Sequence, residues 1–297
     1  MFDREQLRLA GRLLFLNNNG IHPGEPEGID ACMALVRDLC LQPQRLAALG
    51  SAVLLFIPVY NVDGCVNRNN SSRVSQVGPE SFGFRGNSRN LDLNRDFVNC
   101  DTLDAQVFNR FFSEWDPDVK VDTHTSNGAD YHYTMTLIHT QSDKLGGELG
   151  GFLRETMVPA IYDDMAARGW PTSPYVHPVR ESPDDGIRHT LETPRFSNGY
   201  AALHHTIGFM PKTHMLKPFA ERCASTRALV ESVLAFNVAH HTQIQGMRSA
   251  ARQDAAARKR WPVHWQVDFS RPRATPFNLE TAVGRARVGC DRVRWQG

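Results

Sequence analysis

The chain has 297 residues, of which 41% are hydrophobic and 22% are charged, and its formal net charge is +1. This composition is typical of a soluble globular protein with one sizeable core. It excludes a disordered tail protein, a collagen-like fibre and a small disulfide-stapled domain. The longest apolar run, Ala52 to Tyr60, is far shorter than the roughly 20 residues that span a bilayer, so we expect no membrane segment.

The N-terminus and the cysteines indicate the compartment. Asp3 and Glu5 stand near the start of the chain, and Arg8 and Arg12 interrupt the apolar residues that follow, which argues against a signal peptide. The 6 cysteines form no Cys-x-x-Cys pair, a usage that suits reduced thiols. We therefore expect a cytoplasmic protein.

Basic charge is concentrated at the C-terminal end. Residues 244–297 carry 11 Lys and Arg against 4 Asp and Glu, a net charge of +7, whereas residues 1–243 have a net charge of −6. This shift predicts a large domain over 1–243 and a small basic appendage over 244–297. A nucleic-acid patch is the alternative, but Pro262, Pro272, Pro276 and the dispersed arginines favour an irregular or β-rich appendage without a nucleic-acid partner.

Short apolar runs alternate with segments of helical periodicity along the first 240 residues. The runs that predict strands are Leu13–Asn17, Ala52–Tyr60, Val119–Thr123, Tyr131–His139 and His205–His214. Apolar spacing predicts helices within residues 29–39, 103–115, 149–165 and 218–240. This alternation predicts an α/β fold with three α/β/α layers and a mostly parallel central sheet.

Polar clusters follow three of the predicted strands. They lie at residues 17–25, 61–64 and 122–125. Because ligands bind beyond the carboxyl ends of the strands in such sheets, these clusters mark the expected site.

The first and third clusters contain possible metal ligands. His22 and Glu25 are separated by Pro23 and Gly24, which allow a sharp turn, and His124 ends a strand that we place beside the first. Two imidazoles and one carboxylate form an open zinc site that keeps a position for water or substrate. The alternative is a helix start whose carboxylate lies near the helix dipole, with an unrelated histidine at a strand end.

A polar segment with three arginines, residues 85–97, lies between these ligands in sequence. Arginine binds carboxylates through two parallel hydrogen bonds, so this segment suits an anionic substrate end and a developing oxyanion. A solvated loop with structural ion pairs is the alternative.

Four ordered motifs resemble the zinc carboxypeptidases of the M14 type. They are His22-x-x-Glu25, Asn61-Val62-Asp63-Gly64, Asp92-Leu93-Asn94-Arg95 and His124, and the resemblance covers about residues 10–240. It implies that residues 1–243 form a catalytic domain in which His22, Glu25 and His124 hold zinc. It also implies that Asn94 and Arg95 grip the terminal carboxylate of the substrate, and that Arg89, or as second choice Arg85, polarises the scissile carbonyl.

The sequence departs from the family pattern at the general base. Lys212 stands where the family has a glutamate, and an ammonium cannot accept a proton unless its pKa falls greatly. Glu181 and Glu192 are the nearest substitutes in sequence. Asp122, two residues before His124, is a possible outer-shell partner.

Two further expectations depend on the resemblance. Tyr200 is a candidate for the mobile tyrosine that caps the substrate, with a buried structural tyrosine as the alternative. The first strand begins near residue 12, whereas family members usually have earlier strands, so we expect a shortened or N-terminally incomplete version.

The leading interpretation is a zinc-dependent hydrolase of the metallocarboxypeptidase type that cleaves a C-terminal amide bond of a peptide or peptide-like substrate. An amidohydrolase of the aspartoacylase or succinylglutamate desuccinylase type, acting on N-acyl amino acids, is the related alternative. The third is a catalytically silent protein that binds zinc or peptide, which Lys212 favours.

Overall fold

The computed structural model describes residues 6–7, 10–50, 52–126, 132–180, 186–268, 270, 273–279, 282–289 and 293–295. The strands of the main sheet are β1 (Leu14–Asn18), β2 (Val53–Ile57), β3 (Val119–Asp122), β4 (His124–Thr125), β5 (Met135–His139), β6 (Thr172–Pro174) and β9 (Ile207–Thr213). The smaller strands are β7 (Val176–Pro178), β8 (Ile187–His189), β10 (Trp265–Val267), β11 (Arg273–Leu279), β12 (Ala282–Gly289) and β13 (Val293–Trp295).

The main sheet has seven strands in the order β2-β1-β3-β9-β5-β6, with β4 paired to β9. Every pair is parallel except β5 with β9, which is antiparallel. The predicted mostly parallel sheet is therefore confirmed. Each predicted strand overlaps an observed one, although the start of the run at Tyr131 lies outside the described residues.

Helices cover both faces of this sheet. They are α1 (Glu27–Leu41), α2 (Pro43–Ala48), α3 (Val62–Val66), α4 (Leu103–Trp115), α5 (Ser142–Leu145), α6 (Gly147–Phe152), α7 (Val158–Ala167), α8 (Ser197–Leu203) and α9 (Phe219–Ala257). A π-helical turn, Leu153–Met157, joins α6 to α7.

The alternating side chains of β1 divide the core into two layers. Phe15 packs on one face with residues of α1, α7 and α9, whereas Leu16 packs on the other with Phe108 and Phe112 of α4. Successive residues of a strand point to opposite faces, so one apolar run serves both layers. This arrangement is the three-layer α/β/α fold.

Helix α9 continues well beyond the predicted end at residue 240. Ile244 and Met247 remain buried, and the Arg248 guanidinium binds the carboxylates of Asp116 and Asp118 below the sheet. These contacts hold the extra turns. The predicted boundary between residues 243 and 244 falls inside this helix, and the division into two domains stays a prediction.

Beyond α9 the described segments are short strands. β10 pairs with β13, and β11 and β12 join β8 and β7 in a four-stranded sheet. In the part of the chain that is described, no helix is long and apolar enough to cross a membrane.

Candidate metal and substrate site

The loop after β1 carries two of the predicted metal ligands to the carboxyl edge of the sheet. His22 and Glu25 lie in this loop, and His124 is the first residue of β4. Gly28, at the start of α1, lies so close to Thr123 that an added Cβ would be 1.9 Å from the threonine hydroxyl oxygen. Only glycine permits this approach, which brings Glu25 against His124.

His22, Glu25 and His124 form one buried group, here called the His–Glu–His cluster. One ligand atom of each residue lies within 4.8 Å of the other two. The Glu25 carboxylate joins the rings: its Oε1 is 3.4 Å from His22 Nδ1, and its Oε2 is 3.0 Å from His124 Nδ1. Both imidazoles therefore turn the same type of nitrogen toward one carboxylate.

The outer nitrogens of the two rings have their own partners. His22 Nε2 lies 2.8 Å from Asp92 Oδ1, and His124 Nε2 lies 3.5 Å from Asp122 Oδ2 and 3.3 Å from Asn94 Nδ2. A carboxylate that accepts the Nε2 proton leaves the lone pair on Nδ1, which is the form that binds a metal.

Glu25 is held as a carboxylate. Burial raises its pKa, but His22, Arg73 and His124 outweigh burial and hold the pKa well below the usual value. Arg73 Nη1 donates to Glu25 Oε1 at 3.2 Å. A buried carboxylate and two imidazoles fit Zn²⁺ by number and type of donor, so these three residues would hold the ion.

The polar segment 85–97 places Arg85 beside the cluster. Its guanidinium makes two hydrogen bonds to Asp92 Oδ2, at 3.0 and 2.8 Å, and its Nη1 donates to His22 Nδ1 at 3.3 Å. A cation bound at His22 Nδ1 would displace the last contact but leave the pair with Asp92. The pair with Asp92 thus fixes Arg85 beside the position that a metal ion would occupy.

Asn94 and Arg95, from the same segment, lie next to His124. Asn94 Nδ2 is within hydrogen-bond distance of His124 Nε2 (3.3 Å). The Arg95 guanidinium stacks on Phe196 at 4.6 Å, and 36% of its side chain is exposed. This cation therefore has a fixed plane and an open side.

Arg89 and Tyr200 occupy other parts of the molecule. Arg89 lines a cavity of about 670 Å³ between β2 and α4. Tyr200, on α8, is 7% exposed and packs against Phe97, Phe112 and His204. The structure brings Arg85, not Arg89, to the cluster, and it places Tyr200 in the aromatic core.

Lys212 and Glu192 are the two remaining charged candidates for this site. Lys212 pairs in register with His124, and Glu192 is 3% exposed with an Oε2 atom that has no hydrogen-bond partner among the described residues. Burial is the main reason that the pKa of Glu192 is raised, while Lys212 and His124 oppose this shift. Glu181 lies outside the described residues.

Sequence reasoning missed three charged partners of this site. Arg73 reaches Glu25 from a segment without a recognisable motif. Asp92 binds His22, and only its place two residues before Asn94 signals a role. Lys120 is fully buried, with its ammonium 3.6 Å from Asp122 Oδ2, and a lysine inside an apolar strand was the available signal.

Comparison with known proteins agrees with this geometry. Residues 7–142 match the family model for zinc carboxypeptidase. The chain therefore has a zinc carboxypeptidase fold, and its resemblance to that family is confirmed. Among curated proteins, none matches the chain.

Solved structures extend the likeness beyond the matched segment. A metallo-carboxypeptidase from Pseudomonas aeruginosa, in complex with (2-guanidinoethylmercapto)succinic acid, is 14% identical with a TM-score of 0.57, covering 78% of this chain and 58% of that one. A metallo-carboxypeptidase from Burkholderia cenocepacia is 14% identical with a TM-score of 0.56, covering 78% and 57%. This chain thus spans less than two thirds of either, and the likeness is one of fold.

Proposed function

We propose that the protein is a zinc-dependent hydrolase of the carboxypeptidase type, which cleaves a C-terminal amide bond of a peptide or peptide-like substrate. The observation that carries this proposal is the His–Glu–His cluster, in which both Nδ1 atoms turn toward Glu25 while the Nε2 atoms face the carboxylates of Asp92 and Asp122. Such outer contacts are typical of zinc-binding histidines.

The zinc ion, when bound, would polarise the scissile carbonyl and activate water. Arg85 would donate to the carbonyl oxygen as negative charge develops there. Its pairing with Asp92 fixes the guanidinium beforehand, and donors that need no reorganisation stabilise a transition state most.

Asn94 and Arg95 would hold the terminal carboxylate of the substrate. The guanidinium plane of Arg95 is fixed by Phe196 and by its own bond to the Asn94 carbonyl oxygen (2.7 Å). A planar, preorganised guanidinium suits a carboxylate. The Pseudomonas structure contains a succinic acid derivative, which supports an acidic ligand in this fold.

Glu192 is the candidate general base within the described residues. Its carboxylate is buried, one oxygen lacks a hydrogen-bond partner, and its pKa is raised chiefly by burial, which suits a group that must take up a proton near neutral pH. Lys212, at the family's position for the base, supports a second candidate function, that of a silent protein that binds zinc and an acidic peptide.

Hydrolysis of matched substrates tests this proposal. Zinc-loaded protein is incubated with a panel of peptides with free C-termini, the same peptides amidated, and N-acyl amino acids. Cleavage of the free peptides alone supports the carboxypeptidase, whereas cleavage of N-acyl amino acids alone indicates an amidohydrolase. Stoichiometric zinc and ligand binding without turnover would identify the silent binding protein.

A further inference from the structure

Lys212 is a cation beside the His–Glu–His cluster, and no described residue forms an ion pair with it. Its register partner on β4 is His124, and residues paired in register share one face of a sheet. Within the described part of the chain, no carboxylate oxygen lies within 4.0 Å of its ammonium. Its Nζ atom instead lies over the ring of Tyr175, 5.4 Å from the ring centroid.

Lys120, the second lysine of this region, has the polar partners that a buried ammonium requires. Lys120 has the Asp122 carboxylate at 3.6 Å, a hydrogen bond to the Ser197 hydroxyl, and the rings of Phe97 and Phe108 around it. It is fully buried, whereas Lys212 is half-buried. Lys120 therefore has a structural explanation that Lys212 lacks.

The carboxylates near Lys212 either bind other residues or lie beyond ion-pair distance from its ammonium. Glu25 contacts His22, His124 and Arg73, and Glu192 does not come within ion-pair distance of the lysine. Burial lowers the pKa of Lys212, while the fields of Glu25 and Glu192 oppose this shift. A partly buried ammonium without a carboxylate at contact distance destabilises the folded protein, and a bound anion would offset that cost.

We infer that Lys212 binds a second anionic group of the ligand, so that the site selects dianionic amides that carry two carboxylates. This inference rests on the proposed function, since the first carboxylate is taken to lie on Asn94 and Arg95. Both cations are placed around His124: Asn94, next to Arg95, contacts its Nε2, and Lys212 is its register partner on the neighbouring strand. A ligand bound at His124 would therefore lie near both cations.

The second carboxylate has two possible positions on such an amide. It belongs either to the side chain of the terminal amino acid or to the acyl group, and Lys212 recognises the same chemistry in both. N-acetyl-L-glutamate against N-acetyl-L-glutamine tests the first position. N-succinylglycine against its succinamoyl analogue tests the second, because each pair differs by one charge at nearly constant shape.

The experiment measures dissociation constants of these four probes by calorimetry on zinc-loaded full-length protein. The variants are Lys212→Met, Lys212→Arg, Arg95→Met, and Lys259→Met as a control that removes an exposed lysine outside the site. Zinc content and far-UV circular dichroism establish that each variant is folded and loaded.

Wild type should bind one charged probe roughly 10- to 100-fold more tightly than its neutral partner, the range for a hydrogen bond between charged groups. Lys212→Met should abolish this preference while leaving the neutral probe unaffected, Lys212→Arg should retain most of it, and Lys259→Met should change nothing. The pair that shows the preference identifies the position of the second carboxylate.

Several results overturn the inference. They are no preference in wild type, no binding of any probe, or a preference that survives Lys212→Met. Failure of the proposed function looks different: a Lys212-dependent preference without any hydrolysis leaves the dianion site standing and removes the carboxypeptidase assignment. Unchanged affinities in Arg95→Met overturn the inference as well, because the first carboxylate would then lie elsewhere.

Discussion

His22 and Asp92 are 70 residues apart in the chain, and their side chains meet at 2.8 Å between Nε2 and Oδ1. This contact joins the loop after β1 to the Asp-x-Asn-Arg segment, so it ties a proposed metal ligand to the residues proposed to bind the substrate carboxylate. Asp92 also accepts two hydrogen bonds from Arg85. One carboxylate thus orients a metal ligand and a candidate oxyanion donor.

The first prediction concerns zinc content. Wild-type protein should bind about one zinc per chain, and His22→Ala or His124→Ala should lose most of it, because two donors hold the ion much more weakly than three. Elemental analysis after dialysis measures this, with exposed His264→Ala as the matched control. Equal zinc in all four proteins would contradict the assignment of the cluster.

The second prediction concerns Asp92. Asp92→Asn should weaken zinc binding by about 10- to 100-fold, the usual effect of losing the outer partner of a ligating histidine. The neutral amide no longer favours the His22 tautomer with a free Nδ1. Competition with a chromophoric chelator measures the affinity, and Asp101→Asn in an exposed loop is the control. Unchanged affinity would show that Asp92 serves only Arg85.

Much of the fold could be predicted from the sequence, because apolar runs and helical spacing report burial directly. The length of α9 could not, since its last turns depend on Arg248 reaching Asp116 and Asp118 across the fold. Local periodicity contains no information on such a contact.

The site residues also divide into those that the sequence could predict and those that it could not. Short motifs with fixed spacing pointed to the three residues that the structure gathers in the His–Glu–His cluster. The choice between Arg85 and Arg89 depended on which arginine Asp92 binds, a contact between segments of one loop. Tyr200 lies on a helix whose orientation toward the aromatic core is set by packing with Phe97 and Phe112.

The third prediction concerns the ligand carboxylate. Arg95→Ala should weaken binding of a peptide with a free C-terminus by about 2–5 kcal/mol, the range for losing one partner of a charge pair that the ligand covers. An amidated peptide should hardly respond. Calorimetry on zinc-loaded protein measures both. If the two ligands lose affinity alike, Arg95 is structural and does not recognise the carboxylate.

The fourth prediction concerns the pH dependence of stability. Burial lowers the pKa of Lys144 to about 8, and its ammonium donates to the Glu192 carbonyl oxygen. Between pH 8 and the unfolded value of 10.5, the folded state is neutral at this site while the unfolded state still binds the proton. The free energy of unfolding therefore gains up to about 3 kcal/mol from this group as pH rises through this interval.

Comparison with Lys144→Met isolates this contribution. Urea denaturation from pH 7.5 to 10 should show that wild type gains stability relative to the variant, since other titrating groups are shared. Parallel curves would mean that Lys144 keeps an ordinary pKa.

The last prediction concerns the general base, where Lys212 and Glu192 give opposite expectations. If Glu192 accepts the proton, Glu192→Gln should reduce kcat by about 10²–10⁴-fold, the usual contribution of general-base catalysis, with zinc content unchanged. If the base is simply missing, Glu192→Gln should have little effect, and Lys212→Glu should raise hydrolysis of a substrate with a single carboxylate by a similar factor, because a carboxylate beside His124 restores a proton acceptor. Steady-state kinetics of both variants, with zinc measured in each, separate the two cases. A robust wild-type activity that Lys212→Glu abolishes while Glu192→Gln leaves it intact would make the lysine itself the catalytic group, because only a neutral Lys212 could then take the proton.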